Sequence, residues 1–154
     1  MISNATDIPS ATAARLMALW EWRVREPQAT TIPTDLRELQ SLGWWLQCEC
    51  FPIEWRFDRL DELLQIDCPP DPIWFVFSFL RRAAPIWPLR VTKALEDLGR
   101  LAAYGWELMD SNEDVKETLR ACLSSDDSGA QAKALDLVHL LGAKGHASFR
   151  DLVD

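Results

Sequence analysis

The segment Pro69-Pro70-Asp71-Pro72-Ile73-Trp74-Phe75-Val76-Phe77-Ser78-Phe79-Leu80-Arg81-Arg82-Ala83-Ala84 decides the fold class. Its aromatic and β-branched residues suit a buried strand. Its punctuation suits a helix: Asp71 as the cap, Pro72 in the first turn, and an uninterrupted run into Arg81, Arg82 and two alanines before Pro85. No other part of the chain offers a strand partner, and an isolated strand is not stable. The segment therefore reads as a helix buried on nearly all sides, and the chain as all-α.

Working outward, Ala13, Leu16, Met17, Trp20 and Val24 share one face of a helix from about 11 to 25 that begins after Ser10 and is closed by Pro27. Thr34 caps a second helix carrying Leu36, Leu39 and Leu42, with Gly43 inside or just past it. A third follows Pro52 with Trp55, Leu60, Leu63 and Leu64 inward and Glu54, Asp58, Arg59, Asp61 and Glu62 outward. Beyond the deciding segment, a helix from Pro88 to Tyr104 buries Val91, Leu95, Leu98, Leu101 and Ala102 and stops at Gly105. Ser111 or Asn112 caps the next, with Val115, Leu119 and Cys122. Ser128 starts one with Ala132, Leu135, Val138 and Leu141 that Gly142 ends, and a short helix from His146 to Val153 closes the chain.

Alternate helix starts lie about 34–43 residues apart, near the repeat of helical hairpins of the HEAT and armadillo type. The expected architecture is a set of antiparallel helical hairpins stacked as a short HEAT-like α-solenoid, with a compact irregular helical bundle as the alternative. At 154 residues the chain is one domain, 10–154, preceded by a flexible N-terminus, 1–9.

A net charge of −8 argues against a surface built for nucleic acid or anionic lipid. The N-terminal residues lack the basic start and apolar stretch of a signal peptide, and the longest apolar run is far too short to span a bilayer, so a cytoplasmic location and no membrane contact are expected. In that compartment Cys48, Cys50, Cys68 and Cys122 read as reduced core residues. The spacing Cys48-x-Cys50 with Cys68 and His139 or His146 is a poor match to zinc ligand pairs, so no metal and no cofactor is expected. No phosphate-binding loop, nucleotide-binding glycine motif, zinc-protease helix or nucleophile elbow occurs. His139, between Val138 and Leu140, reads as a core or half-buried structural histidine, and the carboxylates of the third helix, interleaved with Arg56 and Arg59, as a solvated face. Binding is thus expected in place of catalysis.

Two features nominate binding residues. Residues 1–77 hold 6 basic and 12 acidic side chains and residues 78–154 hold 10 and 12; in the second half Arg81, Arg82, Arg90, Lys93 and Arg100 form a basic band opposed locally only by Glu96 and Asp97. Eight tryptophans, at 20, 22, 44, 45, 55, 74, 87 and 106, stand against one tyrosine. Trp20 and Trp22, like Trp44 and Trp45, cannot face one way on a helix, so one member of each pair lies near the surface or a helix seam. The candidate partner-binding residues are Trp22, Trp44, Trp45, Arg81, Arg82, Arg90 and Lys93.

The sequence Leu19-Trp20-Glu21-Trp22-Arg23, then Leu42-Gly43-Trp44-Trp45-Leu46, then Trp55, and finally Gly145-His146-Ala147-Ser148-Phe149-Arg150-Asp151-Leu152 resembles the C-terminal helical region of large bacterial NTPase and antiphage-defence-type proteins. Leu42 and Leu46 stand where that region carries aromatics. The resemblance implies a HEAT-like, non-enzymatic protein-interaction module working beside an effector, and it implies no catalytic residue. The acidic balance supports a second reading: an antagonist such as a toxin-immunity protein or a nucleic-acid mimic.

Overall fold

The computed structural model describes residues 8–25, 34–101 and 113–153. It is all-helical, with no strand among the described residues. The elements are α1 (Ser10–Arg25), α2 (Thr34–Gln40), α3 (Leu42–Trp45), α4 (Ile53–Gln65), α5 (Ile73–Ala83), α6 (Pro88–Arg100), α7 (Glu113–Leu123), α8 (Ser128–Ala143) and a closing 3₁₀ helix, Ala147–Leu152.

The deciding segment is helical. Ile73, Val76, Phe77, Leu80 and Ala83 recur at three- and four-residue spacing and are buried, together with Phe79. The other side is not covered: Trp74 and Arg81 are exposed and Phe75 half-buried, so the expectation of burial nearly all round is corrected. The start also differs. Pro72, with extended backbone, occupies the cap position, Asp71 makes no side-chain cap, and Ile73 is the first helical residue. The Asp71–Pro72 peptide is cis.

Other boundaries move as well. The second expected helix is broken after Gln40, and Leu42 opens the separate α3. Gly43 lies inside α3, directly against the Asp71–Pro72 backbone: a β-carbon there would sit 2.7 Å from the Asp71 carbonyl carbon and oxygen. The Asp71 amide donates to the Gln40 carbonyl at 2.7 Å on the same approach. α6 begins with Pro88 at its first turn, where a missing N–H costs nothing. It ends at Arg100, before Leu101 turns extended; Tyr104, Gly105 and the expected caps Ser111 and Asn112 lie outside the described residues.

α8 is capped by Asp127, whose carboxylate accepts from the Ala130 amide at 2.9 Å, with Ser128 as the first helical residue. Gly142 does not end it. The helix continues to Ala143, and Gly145, at φ +94°, takes the left-handed conformation. The His146 amide then reaches the Leu141 carbonyl and the Gly145 amide the Gly142 carbonyl, a Schellman closure. The buried stripe of α8 is Ala130, Ala134, Leu137, Val138 and Leu141; the expected inward residues Ala132 and Leu135 are exposed.

Among the described helices, α3 packs on α5, α4 on α6, α5 on α7, and α6 on both α7 and α8, with α7 and α8 also in contact. One apolar core runs through them, from Trp20, Leu42 and Leu46 at one end through Phe57, Phe77 and Leu95 to Leu119, Val138 and Phe149 at the other. A hairpin stack and a compact bundle both contain such neighbours. Among the described residues no helix is long and apolar enough to cross a membrane.

The cysteines part company. Cys48 and Cys50 are joined in a disulfide that closes a small ring around Glu49, which corrects the expectation of four reduced core thiols. Their place after α3, in a turn that is only half-buried, brings the two sulfurs together outside the core. Cys68 and Cys122 are buried thiols outside the disulfide, as expected.

Candidate interaction surface

The short α3 sets the geometry of the tryptophans. A 3.6-residue turn separates Trp44 from Trp45 by about 100°. Trp45 therefore points inward, with ring centroids 5.1 Å from Trp20, 5.3 Å from Phe51 in a stacked contact, and 6.3 Å from Trp55. It is half-buried cement between α1, α3 and α4. Trp44 points outward, 62% exposed, with its ring 4.8 Å from Phe75. Phe75 lies 6.3 Å from Trp74, itself 59% exposed. Trp44, Phe75 and Trp74 thus form an aromatic ridge across α3 and α5.

On α1 the pair divides in the same way. Trp20 is buried, and its indole N–H meets no acceptor. Trp22 is 57% exposed and lines, with Leu19, Trp20, Leu39 and Trp45, a groove of about 440 Å³ between α1 and the α2–α3 segment. Arg23 and Glu38 are paired at 2.6 Å in that groove.

The expected basic band is not a free cationic surface. Arg81 pairs with Asp114 of α7 at 3.2 Å. Arg90 bridges Asp58 and Asp61 of α4 at 2.9 and 2.8 Å, and its guanidinium covers the Phe57 ring. Arg100 pairs with Glu96. Arg82 donates to Gln47 at 2.9 Å and lies 3.6 Å from Glu49. Lys93 is exposed, with no ion pair among the described residues. The band was read along one chain segment, whereas the partners of Arg81, Arg82 and Arg90 come from segments distant in sequence. Arg81 and Arg90 therefore tie helices together, Arg82 reaches the turn after α3, and Lys93 is exposed.

The face of α4 needs a similar correction. Arg56 is buried, donating to the Leu46 carbonyl at 3.0 Å with its guanidinium 5.1 Å from the Phe79 ring centre, and its Nε–H has no partner. Burial, and then the neighbouring Arg82, hold its pKa below the usual arginine value. Arg59, expected outside, is largely covered, bonded to Glu62 at 2.8 Å and lying over Trp55. Burial raises the Glu62 pKa, while Arg59 pulls the other way. His139, expected in the core or half-buried, is exposed, because the α8 stripe is displaced around the helix. Among the described residues no group of three or more His, Cys, Asp or Glu side chains is placed to hold a metal.

Sequence reasoning missed Trp74 and Arg56. The helical spacing of Ile73, Val76, Phe77 and Leu80 places Trp74 off their shared face, so the signal for its exposure was present. Nothing local distinguishes Arg56 from Arg59; burial of Arg56 depends on Leu46 and Phe79, which only the tertiary fold supplies.

No protein-family model matches the chain, and no curated protein or solved structure is significantly similar to it.

Proposed function

We propose that this chain is a non-enzymatic helical protein-interaction module that grips a partner protein through the ridge Trp44–Phe75–Trp74, with Trp22 as a further anchor. The observation that carries the reading is the ridge itself. Exposed indoles are costly to leave in water, and covering the exposed half of one is worth about 2–3 kcal/mol by area. Clustered aromatics of this kind are enriched where partner proteins bind. The pairing of α3 with α5, α4 with α6, α5 with α7 and α6 with α8 supports a HEAT-like stack of hairpins as the scaffold. On the same reading the partner belongs to a bacterial defence system, the setting that the tryptophan-spacing resemblance implies.

The test is affinity purification of the tagged chain from native cells beside a Trp44→Gln, Trp74→Gln double variant and a Leu135→Gln control. Wild type and control are expected to retain one protein in near-stoichiometric amount, and the double variant to lose it with an unchanged helical circular dichroism spectrum. Equal recovery with all three would overturn the assignment.

A further inference from the structure

A second site lies one helix turn from the ridge and is of different character. A cleft of about 280 Å³ is lined by Glu49, Ile53, Arg56, Phe79, Arg82 and Ala83. Both guanidiniums in it are held in place. Arg56 is 9% exposed and fixed by the Leu46 carbonyl and the Phe79 ring. Arg82 is oriented by Gln47, whose own amide donates to the Phe75 carbonyl at 2.6 Å. Neither has a well-made anion. Arg56 makes no ion pair among the described residues and its buried Nε–H is unpartnered, although buried polar groups are normally satisfied. Glu49, carried in the Cys48–Cys50 ring, stands 3.6 Å from Arg82, too far for a hydrogen bond.

The geometry points to a carboxylate-binding cleft, in which an incoming carboxylate bonds Arg56 and Arg82 while Glu49 is displaced as a tethered competitor. The lining holds two guanidiniums and one carboxylate, and Glu54 also acts on Arg56, so the cleft carries at most a single net positive charge, which suits a monoanion better than a phosphate dianion. Arginine's planar fork suits a carboxylate. Ile53, Phe79 and Ala83 supply an apolar wall for the stem that bears it. The site stands on Arg56 and Arg82 and holds whether or not the aromatic ridge binds protein.

The test is an NMR titration of the full chain that follows the arginine Nε–H signals, with sodium propionate, inorganic phosphate and sodium chloride at constant ionic strength. Propionate is expected to shift the Arg56 signal saturably in the millimolar range. Arg82→Gln should weaken binding about ten-fold, the worth of one charge-assisted bond. Glu49→Gln should tighten it about three-fold by removing the competing charge. A structural arginine cluster would show no such gain. No saturable shift in either wild type or Glu49→Gln, an equal response to chloride, tighter binding of phosphate than of propionate, or weaker binding in Glu49→Gln would each overturn the assignment.

Discussion

Substituting Gly43 by alanine is the sharpest probe of how α3 is seated, and the magnitude follows from the contacts. The new β-carbon would stand 2.7 Å from the carbonyl carbon and oxygen of Asp71 and 2.9 Å from the Pro72 nitrogen. Ordinary contact begins at 3.4 Å, so the two backbones must separate by about 0.7 Å. The obstacle is main chain, which cannot rotate aside as a side chain would. The same movement stretches the Asp71 amide to Gln40 carbonyl bond from 2.7 Å towards breaking. Overpacking costs about 1–3 kcal/mol and the hydrogen bond about 0.5–1.5 kcal/mol. Replacing a helical glycine returns at most about 1 kcal/mol. The net expectation is a loss of about 1–3 kcal/mol, a fall of ~3–10 °C in midpoint for a domain of this length. Gly142→Ala is the matched control: Gly142 lies inside α8 with no atom within 4 Å of the added carbon, and the change should stabilise by about 0.5–1 kcal/mol. Differential scanning calorimetry and urea titration of both variants decide the matter. If Gly43→Ala is as stable as wild type, or both variants move in the same direction, the close approach of α3 to Asp71–Pro72 is wrong.

The paired tryptophans should separate in stability. Trp45→Ala removes a ring packed among Trp20, Phe51 and Trp55 and is expected to cost about 3–5 kcal/mol, whereas Trp44→Ala should cost under about 1 kcal/mol by urea titration; similar losses would contradict their opposite orientations. Thiol titration at pH 8 should find no fast-reacting group in the native chain, since Cys48 and Cys50 are bonded and burial raises the Cys68 thiol and pushes Cys122 up to about 12. Unfolding should release two thiols and reduction four, from the four cysteines present; rapid labelling of the native protein would refute this. Lys116 bonds Asp151 at 2.8 Å and holds its carboxyl below the ordinary value of 3.8. A carboxyl depressed in the folded state adds stability above that ordinary value and loses it as pH falls through the depressed one. The difference in thermal midpoint between wild type and Lys116→Met should therefore be fully present at neutral pH and shrink on acidification below about pH 4; a gap that widens there would contradict the tie.

Helix content was legible because its signals are local. Pro72 and Pro85 bracket α5, Pro88 opens α6, and the spacing of Val91, Leu95 and Leu98 marks the face that α6 buries. The failures have tertiary causes. Gly43 and Gln40 meet Asp71 from another part of the chain, and this contact breaks the second helix where spacing alone continued it. In α8 alanines and leucines occur all round the helix, so periodicity could not fix which ones face the core. The split within each tryptophan pair followed from helix geometry, but its direction depended on what Trp20, Phe51, Trp55 and Phe75 offered on each side. Arg81, Arg82 and Arg90 read as a surface band because their partners Asp114, Gln47, Asp58 and Asp61 are distant in sequence.

The most direct test of the account is site-specific photo-crosslinking in native cells, with the crosslinking residue placed in turn at position 74 on the ridge and at position 140, an exposed leucine on α8. A discrete adduct with one partner protein is expected from position 74 and none from position 140. The same adducts from both positions, or none from position 74 in cells where the chain is expressed and folded, would contradict it.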